Sequence, residues 1–254
     1  MALNVERAEF RDLHPFLQLV EIMQALRAED GCPWDRAQTH QTLIRYLLEE
    51  TYEAIDAIER EDHQETRSEL GDLLLQIVFH AQMAREAGNF QIEDVCQAIV
   101  DKMIRRHPHV FSSGPKLANG EQVYQQWEEI KQKETGKKKS RLDGLPPALP
   151  ALVLAERIQE RAAQIGFDFP DAPAAWDKLR EELQELEQDP NELGDVLFAC
   201  VSLARKHKID PEAALRQTCQ KFKQRFQGVE QQFGDSLSQQ DAATLVAAWN
   251  QQKT

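Results

Sequence analysis

The sequence predicts an all-α protein built as two tandem helical bundles joined by a basic, proline-rich linker. Three observations predict it. Apolar residues recur every three to four positions, the period of an amphipathic helix. No stretch alternates apolar and polar residues long enough to make a sheet strand. An ordered set of acidic, basic and tryptophan residues occurs once on each side of the linker, and repetition at this scale marks duplicated units. The expected division is 1–134, a linker at 135–147, and 148–254.

Composition narrows the function classes. A chain of 254 residues allows one large or two small domains. Its net charge of −13 argues against nucleic acid or an anionic membrane as the main partner. No apolar run approaches the roughly 18 residues of a membrane span. Cys32, Cys96, Cys200 and Cys219 form no CxxC pair, which favours a reducing compartment and no zinc ribbon. The N-terminus shows no basic segment followed by an apolar core. A soluble cytoplasmic protein is the expectation.

Taken in order, Phe16, Leu19, Val20, Met23 and Leu26 make a first helix that stops before the loop Asp30-Gly31-Cys32-Pro33-Trp34-Asp35. Leu43, Ile44, Leu47 and Leu48 open a second, which carries Glu50 and Glu53. Leu70, Leu73, Leu74, Ile77 and Val78 define a third, which carries Glu69 and Asp72 and ends at Gly88-Asn89. A fourth, from about Ile92 to Arg106, precedes His107-Pro108-His109. A shorter one around Val123 to Lys133 contains Trp127. Between the second and third lies a polar break in which Asp62 is the N-cap and Glu65 stands at capping-box spacing.

Each acid pair is spaced i, i+3 and shares one helix face. Both pairs are centred on residue 61. A hairpin turning there sets Glu53 opposite Glu69 and Glu50 opposite Asp72. Four converging carboxylates repel unless a cation joins them. Ligands that are all oxygen suit a hard cation, Mg²⁺ with Mn²⁺ as its substitute. One acidic face alone is ordinarily just solvated; the second occurrence argues otherwise.

From Lys133 to Pro150, Lys137-Lys138-Lys139 is followed by Pro146, Pro147 and Pro150, a composition that reads as a solvated tether. Beyond it the pattern returns. A helix from about Leu149 to Gln164 leads to Gly166-Phe167-Asp168-Phe169-Pro170, an echo of Gly31-Cys32-Pro33-Trp34. Then come Glu182 and Glu185, a turn at Asp189-Pro190-Asn191, and Glu192 and Asp195. The second hairpin is nine residues shorter, yet it is still symmetric about its turn. Lys221 and Arg225 match Lys102 and Arg106, and Trp249 matches Trp127. Asp189 to Glu192 also reads as a capping box, and a glutamate folded back to cap does not bind metal. The first site, with Glu65 available as a separate cap, is therefore the one expected to be complete.

The set Glu49-Glu50-x-x-Glu53 with Glu69-x-x-Asp72, repeated as Glu181-Glu182-x-x-Glu185 with Glu192-x-x-Asp195, resembles the MazG family of nucleoside triphosphate pyrophosphohydrolases. Gly31-Cys32-Pro33-Trp34-Asp35 and the segment Lys102 to Phe111 resemble it too. The resemblance implies an all-α fold in the two-domain form of the family, Mg²⁺ dependence and dimers. It also implies hydrolysis of NTP to NMP and pyrophosphate in the clearing of nucleotides.

On that basis Glu50, Glu53, Glu69 and Asp72, with Glu182, Glu185, Glu192 and Asp195, are the expected metal ligands. Glu49 and Glu181 point about 100° away from the ligand face and are candidates for an outer-sphere or general-base role. Lys102, Arg106, Lys221 and Arg225 are candidates for the phosphates, against the plainer account of helix-dipole complements. Trp127 and Trp249 either stack on a base or pack as core. No Glu-x-x-His occurs, which argues against a ferritin-like di-iron site. Two rival functions stand beside this one: a pyrophosphatase selective for one nucleotide such as dUTP or dCTP, and a non-catalytic Mg²⁺- and nucleotide-binding regulatory protein. One catalytic and one regulatory domain is a further arrangement. Four-helix units of this size leave an apolar face open, which points to a homodimer.

Overall fold

The structure, a computed structural model, describes residues 5–112, 117–134 and 140–252. Every regular element among them is helical. The chain divides into two compact units, Met1–Glu134 and Thr135–Thr254.

In the first unit α1 spans Pro15–Arg27, with Pro15 at its first position and His14 accepting from the Phe16 N–H. Gly31 follows because nothing larger fits. A Cβ there would stand 2.4 Å or less from the Ala25 and Leu26 carbonyl oxygens at the end of α1. The stretch expected to be a plain loop winds into a short helix, Pro33–Ala37, because Pro33 lacks the N–H that a first position leaves unused. A capping box between Thr39 and Thr42 opens α2, His40–Glu59. The turn at Arg60-Glu61-Asp62 leads into α3, His63–Glu86, and the two helices pack as an antiparallel hairpin. Ala54 and Ala57 are buried on α2 and let the helices approach. Helices α4, Ile92–Arg106, and α5, Gly120–Glu134, complete the unit. Its core gathers Met23, Leu43, Val78, Phe79, Ala81, Met83 and Ile92, each large apolar side chain contributing about 1.5–3 kcal/mol.

The second unit has the same order of parts: α6, Ala151–Ala163; the hairpin of α7, Ala172–Leu186, with α8, Leu193–Lys206; then α9, Pro211–Phe233, and α10, Ala242–Gln251. Asp171, Asp210 and Asp241 cap α7, α9 and α10 through backbone N–H groups three residues on. Leu179, Val196 and Ala199 form a smaller core with Leu186 and Leu203.

Of the segment read as a tether, 135–139 lies outside the described residues, Lys137-Lys138-Lys139 included. The described remainder is not free. Arg161 donates to the Arg141 and Asp143 carbonyls, and the Asp143 carboxylate accepts from the Ser140 N–H. Backbone carbonyls that no helix uses are satisfied by a neighbouring guanidinium.

Candidate active site

The α2–α3 hairpin brings acids from both helices together. Carboxylate oxygens of Glu50, Glu69 and Asp72 lie within 4.8 Å of one another. Glu69 is only 8% exposed. Burial, followed by the charge of Asp72, raises the Glu50 carboxyl above its ordinary value. Burial, followed by the charge of Glu53, does the same to Glu69. Glu53 thus faces the group from its edge without joining the close triplet. Glu49 is exposed one position away on α2.

In the second unit the close triplet is Glu182, Glu185 and Glu192, with Glu182 7% exposed. Asp195 hydrogen-bonds to Glu192, and the shared proton raises the Glu192 carboxyl, with burial adding to it. Lys178 enters this site and was not anticipated. Its Nζ lies 2.7 Å from Glu182 and 2.8 Å from Glu181, and hydrogen bonds to Glu181 first and Glu182 second raise its ammonium above the ordinary value. The signal was present in the sequence: Lys178 stands three and four positions before the two acids, the spacing of helical ion pairs.

Neither predicted capping box forms around the acids. Asp62 caps α3 by accepting from the Gln64 and Glu65 N–H groups. Its own N–H donates to the Ala57 carbonyl and is unavailable to Glu65. Likewise the Asp189 N–H donates to the Glu185 carbonyl and Asp189 accepts from Asn191. Glu192 is left facing the other acids. In both places the last turn of the preceding helix takes the donor that the box requires.

The basic and aromatic candidates are arranged differently in the two units. Arg106 pairs with Glu134 at 2.6 Å and lies over the Trp127 ring at 5.2 Å. His107 meets the same ring edge-on at 5.0 Å. These candidates engage one another, while Lys102 is exposed. Trp249 packs on Phe222 at 4.6 Å, with Lys221 exposed and Arg225 half-buried on the same helix. His109 bonds to Gln126, a packing role.

Beside the second acid group lies a cleft of about 510 Å³. Its walls are Ile158, Gln159 and Ala162 at the end of α6, the loop Gly166–Phe169, and Phe198, Ala199, Ser202 and Arg205 on α8. Lys178, Glu182 and Asp195 supply the charged part of its lining. No local motif in the sequence announces it.

The family model matching this chain is that of the MazG nucleotide pyrophosphohydrolase domain, over residues 38–111. That range holds Glu49, Glu50, Glu53, Glu69, Asp72, Lys102 and Arg106. A nucleoside triphosphate pyrophosphohydrolase/pyrophosphatase MazG of Thermotoga maritima is 50% identical over 223 residues, covering 85% of this chain and 86% of that protein. A nucleoside triphosphate pyrophosphohydrolase of Escherichia coli strain K12 is 44% identical over 253 residues, covering 93% and 96%. The chain belongs to the MazG family of nucleoside triphosphate pyrophosphohydrolases. Among the described residues no helix is long and apolar enough to cross a membrane.

Proposed function

We propose that this chain hydrolyses nucleoside triphosphates, ribo and deoxy alike, at the α–β phosphoanhydride, releasing NMP and pyrophosphate with Mg²⁺ at its carboxylate groups. The observation that carries the reading is the convergence of acids from two antiparallel helices. In each close triplet their oxygens lie within 4.8 Å, and in the first unit burial, with the charge of the neighbouring acids, disfavours the ionised forms of Glu50 and Glu69. An all-oxygen donor set of this charge fits Mg²⁺, with Mn²⁺ as substitute. Glu50, Glu53, Glu69 and Asp72 would hold it in the first unit; Glu182, Glu185, Glu192 and Asp195 would hold it in the second. Bound there, the ion supplies charge for phosphate oxygens and an acidified water.

The side chains divide the remaining work. Lys221 and Arg225, on α9 of the second unit, are assigned to the phosphates. Arg106 has to leave Glu134 before it can serve in the same way. Each unit has its own proton acceptor: Glu49, which carries no ion pair among the described residues, in the first, and Glu181, once it parts from Lys178, in the second. A cleft walled mainly by carbon supports breadth across bases.

Two further parts belong to this reading. The exposed stripe Ile44, Leu48 and Tyr52 on α2, with Leu70 and Ile77 on α3, is the surface of a homodimer. Sedimentation at twice the chain mass is the expected result. Four unpaired cysteines suit the cytoplasm, where nucleotides are made and used.

The test is product identity. Each NTP and dNTP is incubated with the purified protein and Mg²⁺, and the products are separated by anion exchange. NMP with pyrophosphate at comparable rates is expected. NDP with phosphate, or bound nucleotide without turnover, overturns the reading. One dominant nucleotide overturns its breadth.

A further inference from the structure

We propose that Glu134 is a built-in occupant of the phosphate seat of the first unit: its carboxylate takes Arg105 and Arg106, and a polyphosphate reaches Arg106 only when Glu134 swings away. The proposal rests on the proposed activity in one respect, the assignment of Arg106 to phosphates, and adds what regulates that seat.

The geometry is that of an anion site already filled. Arg106 turns two donors toward one carboxylate oxygen of Glu134, Nε at 3.1 Å and Nη2 at 2.6 Å, and Arg105 Nε donates to the other at 2.5 Å. Both oxygens are used, in the charge-assisted contacts with which guanidinium also grips phosphate. The Arg106 side chain is 13% exposed and that of Glu134 21%, so water and salt screen this pair less than one on the open surface. The Arg106 guanidinium lies over the Trp127 ring, which His107 meets edge-on, and that packing fixes the direction in which Arg106 points. The two arginines hold the Glu134 carboxyl well below its ordinary value. A carboxylate tethered in this way competes with free anions at an effective concentration on the order of millimolar.

The second unit supplies the contrast. With Lys102 and Arg106 set against Lys221 and Arg225, Arg105 falls opposite Gln224. Neither Lys221 nor Arg225 carries an ion pair among the described residues, and Trp249 packs on Phe222. Arg105 therefore belongs to the clamp on Glu134 and not to the parts that the two units share. Glu134 is also the last residue of α5 and of the first unit. The contact that fills the seat also fixes where the chain leaves that unit, so a pull on the chain beyond residue 134 opens the seat.

Tripolyphosphate with Mg²⁺ is the probe, because it carries no nucleoside and its binding is read without turnover. In the full chain with Lys221→Ala and Arg225→Ala, which weaken the seat of the second unit, calorimetric titration reads the first. Adding Glu134→Gln is expected to lower the dissociation constant roughly tenfold or more, the factor for a seat closed about nine-tenths of the time. Adding Arg106→Ala to that variant is expected to remove the gain. An unchanged constant with Glu134→Gln overturns the proposal, and so does a gain that survives Arg106→Ala. Amide exchange of the unaltered chain is independent of how the variants fold. At the tripolyphosphate concentration that half-saturates the unaltered chain, exchange at residues 105–111 and in the last turn of α5 is expected to stay as it is without the probe; slowing there overturns the proposal. If the wild type yields no NMP and pyrophosphate, it is the proposed activity that fails, and the titration and the exchange pattern still report on Glu134.

Discussion

Glu134 joins two consecutive arginines, Arg105 at 2.5 Å and Arg106 at 2.6 Å. The Arg106 hydrogen bond, then that of Arg105, holds its carboxyl down at about 2 against an ordinary 4.5. As pH falls the unfolded chain takes up this proton before the folded one. The contribution is therefore complete above about pH 4.5 and disappears as pH approaches 2. Glu134→Gln is expected to melt below the wild type at pH 6 and to lose that deficit near pH 2, as thermal melts across the range will check. A nearby contribution is Asp62, whose carboxylate satisfies two N–H groups of α3. Asp62→Ala is expected to cost about 1 kcal/mol in denaturant unfolding. At this scale the sequence was partly legible. Asp62 caps as its identity suggests. Glu65 and Glu192 do not complete boxes, because the donor each needs is already spent on a carbonyl of the previous helix. Which carbonyl comes within reach depends on the turn, and residue identity alone does not state it.

Several helix ends share one device. After α2 the Asp62 N–H reaches back to Ala57, after α3 the Asn89 N–H to Ala84, and after α8 the Ile209 N–H to Ala204. Each motif needs one residue with positive φ. Gly88 supplies it after α3 at φ +72°, but Glu61 and Lys208 occupy it elsewhere at +56° and +58°. A side chain in that region is strained by roughly 1–2 kcal/mol, and glycine removes the clash at some entropic cost. Glu61→Gly and Lys208→Gly are each expected to stabilise the chain by about 0.5–1 kcal/mol, read as a small rise in melting temperature. A drop in either would mean that the glutamate or lysine makes a compensating contact. Gly88-Asn89 announced its helix end in the sequence. Glu61 and Lys208 did not, since neither type signals a left-handed turn. For the first hairpin the polar break, the Asp62 cap and the symmetry of its acids about residue 61 gave the turn away.

Across the whole molecule, the acids were readable because helical spacing and a symmetric turn are local properties. The cleft was not, because it depends on which of three packed helices carries a small side chain at Ala162 and at Ser202. That difference bears on which unit turns over substrate. The sequence favoured the first, on the grounds that Glu192 reads as a cap and that the second hairpin has the shorter gap between its acids. With Glu192 facing Glu182 and Glu185, the first ground is gone, and the shorter gap still brings the acids together. On the proposed function both acid groups hold a divalent cation, and among the described residues the second lines the cleft. Mg²⁺ should then raise the melting temperature of Glu53→Ala and of Glu185→Ala, since each keeps one intact group. Tenfold excess over the dissociation constant corresponds to about 1.4 kcal/mol. Turnover should separate the two. Glu185→Ala is expected to lower kcat/KM by about a hundredfold or more, and Glu53→Ala to leave most of it. The opposite order would place the chemistry in the first unit. The second cleft would then hold a nucleotide that regulates without reacting, and ATP would still protect Gly166–Phe169 from exchange in Glu185→Ala.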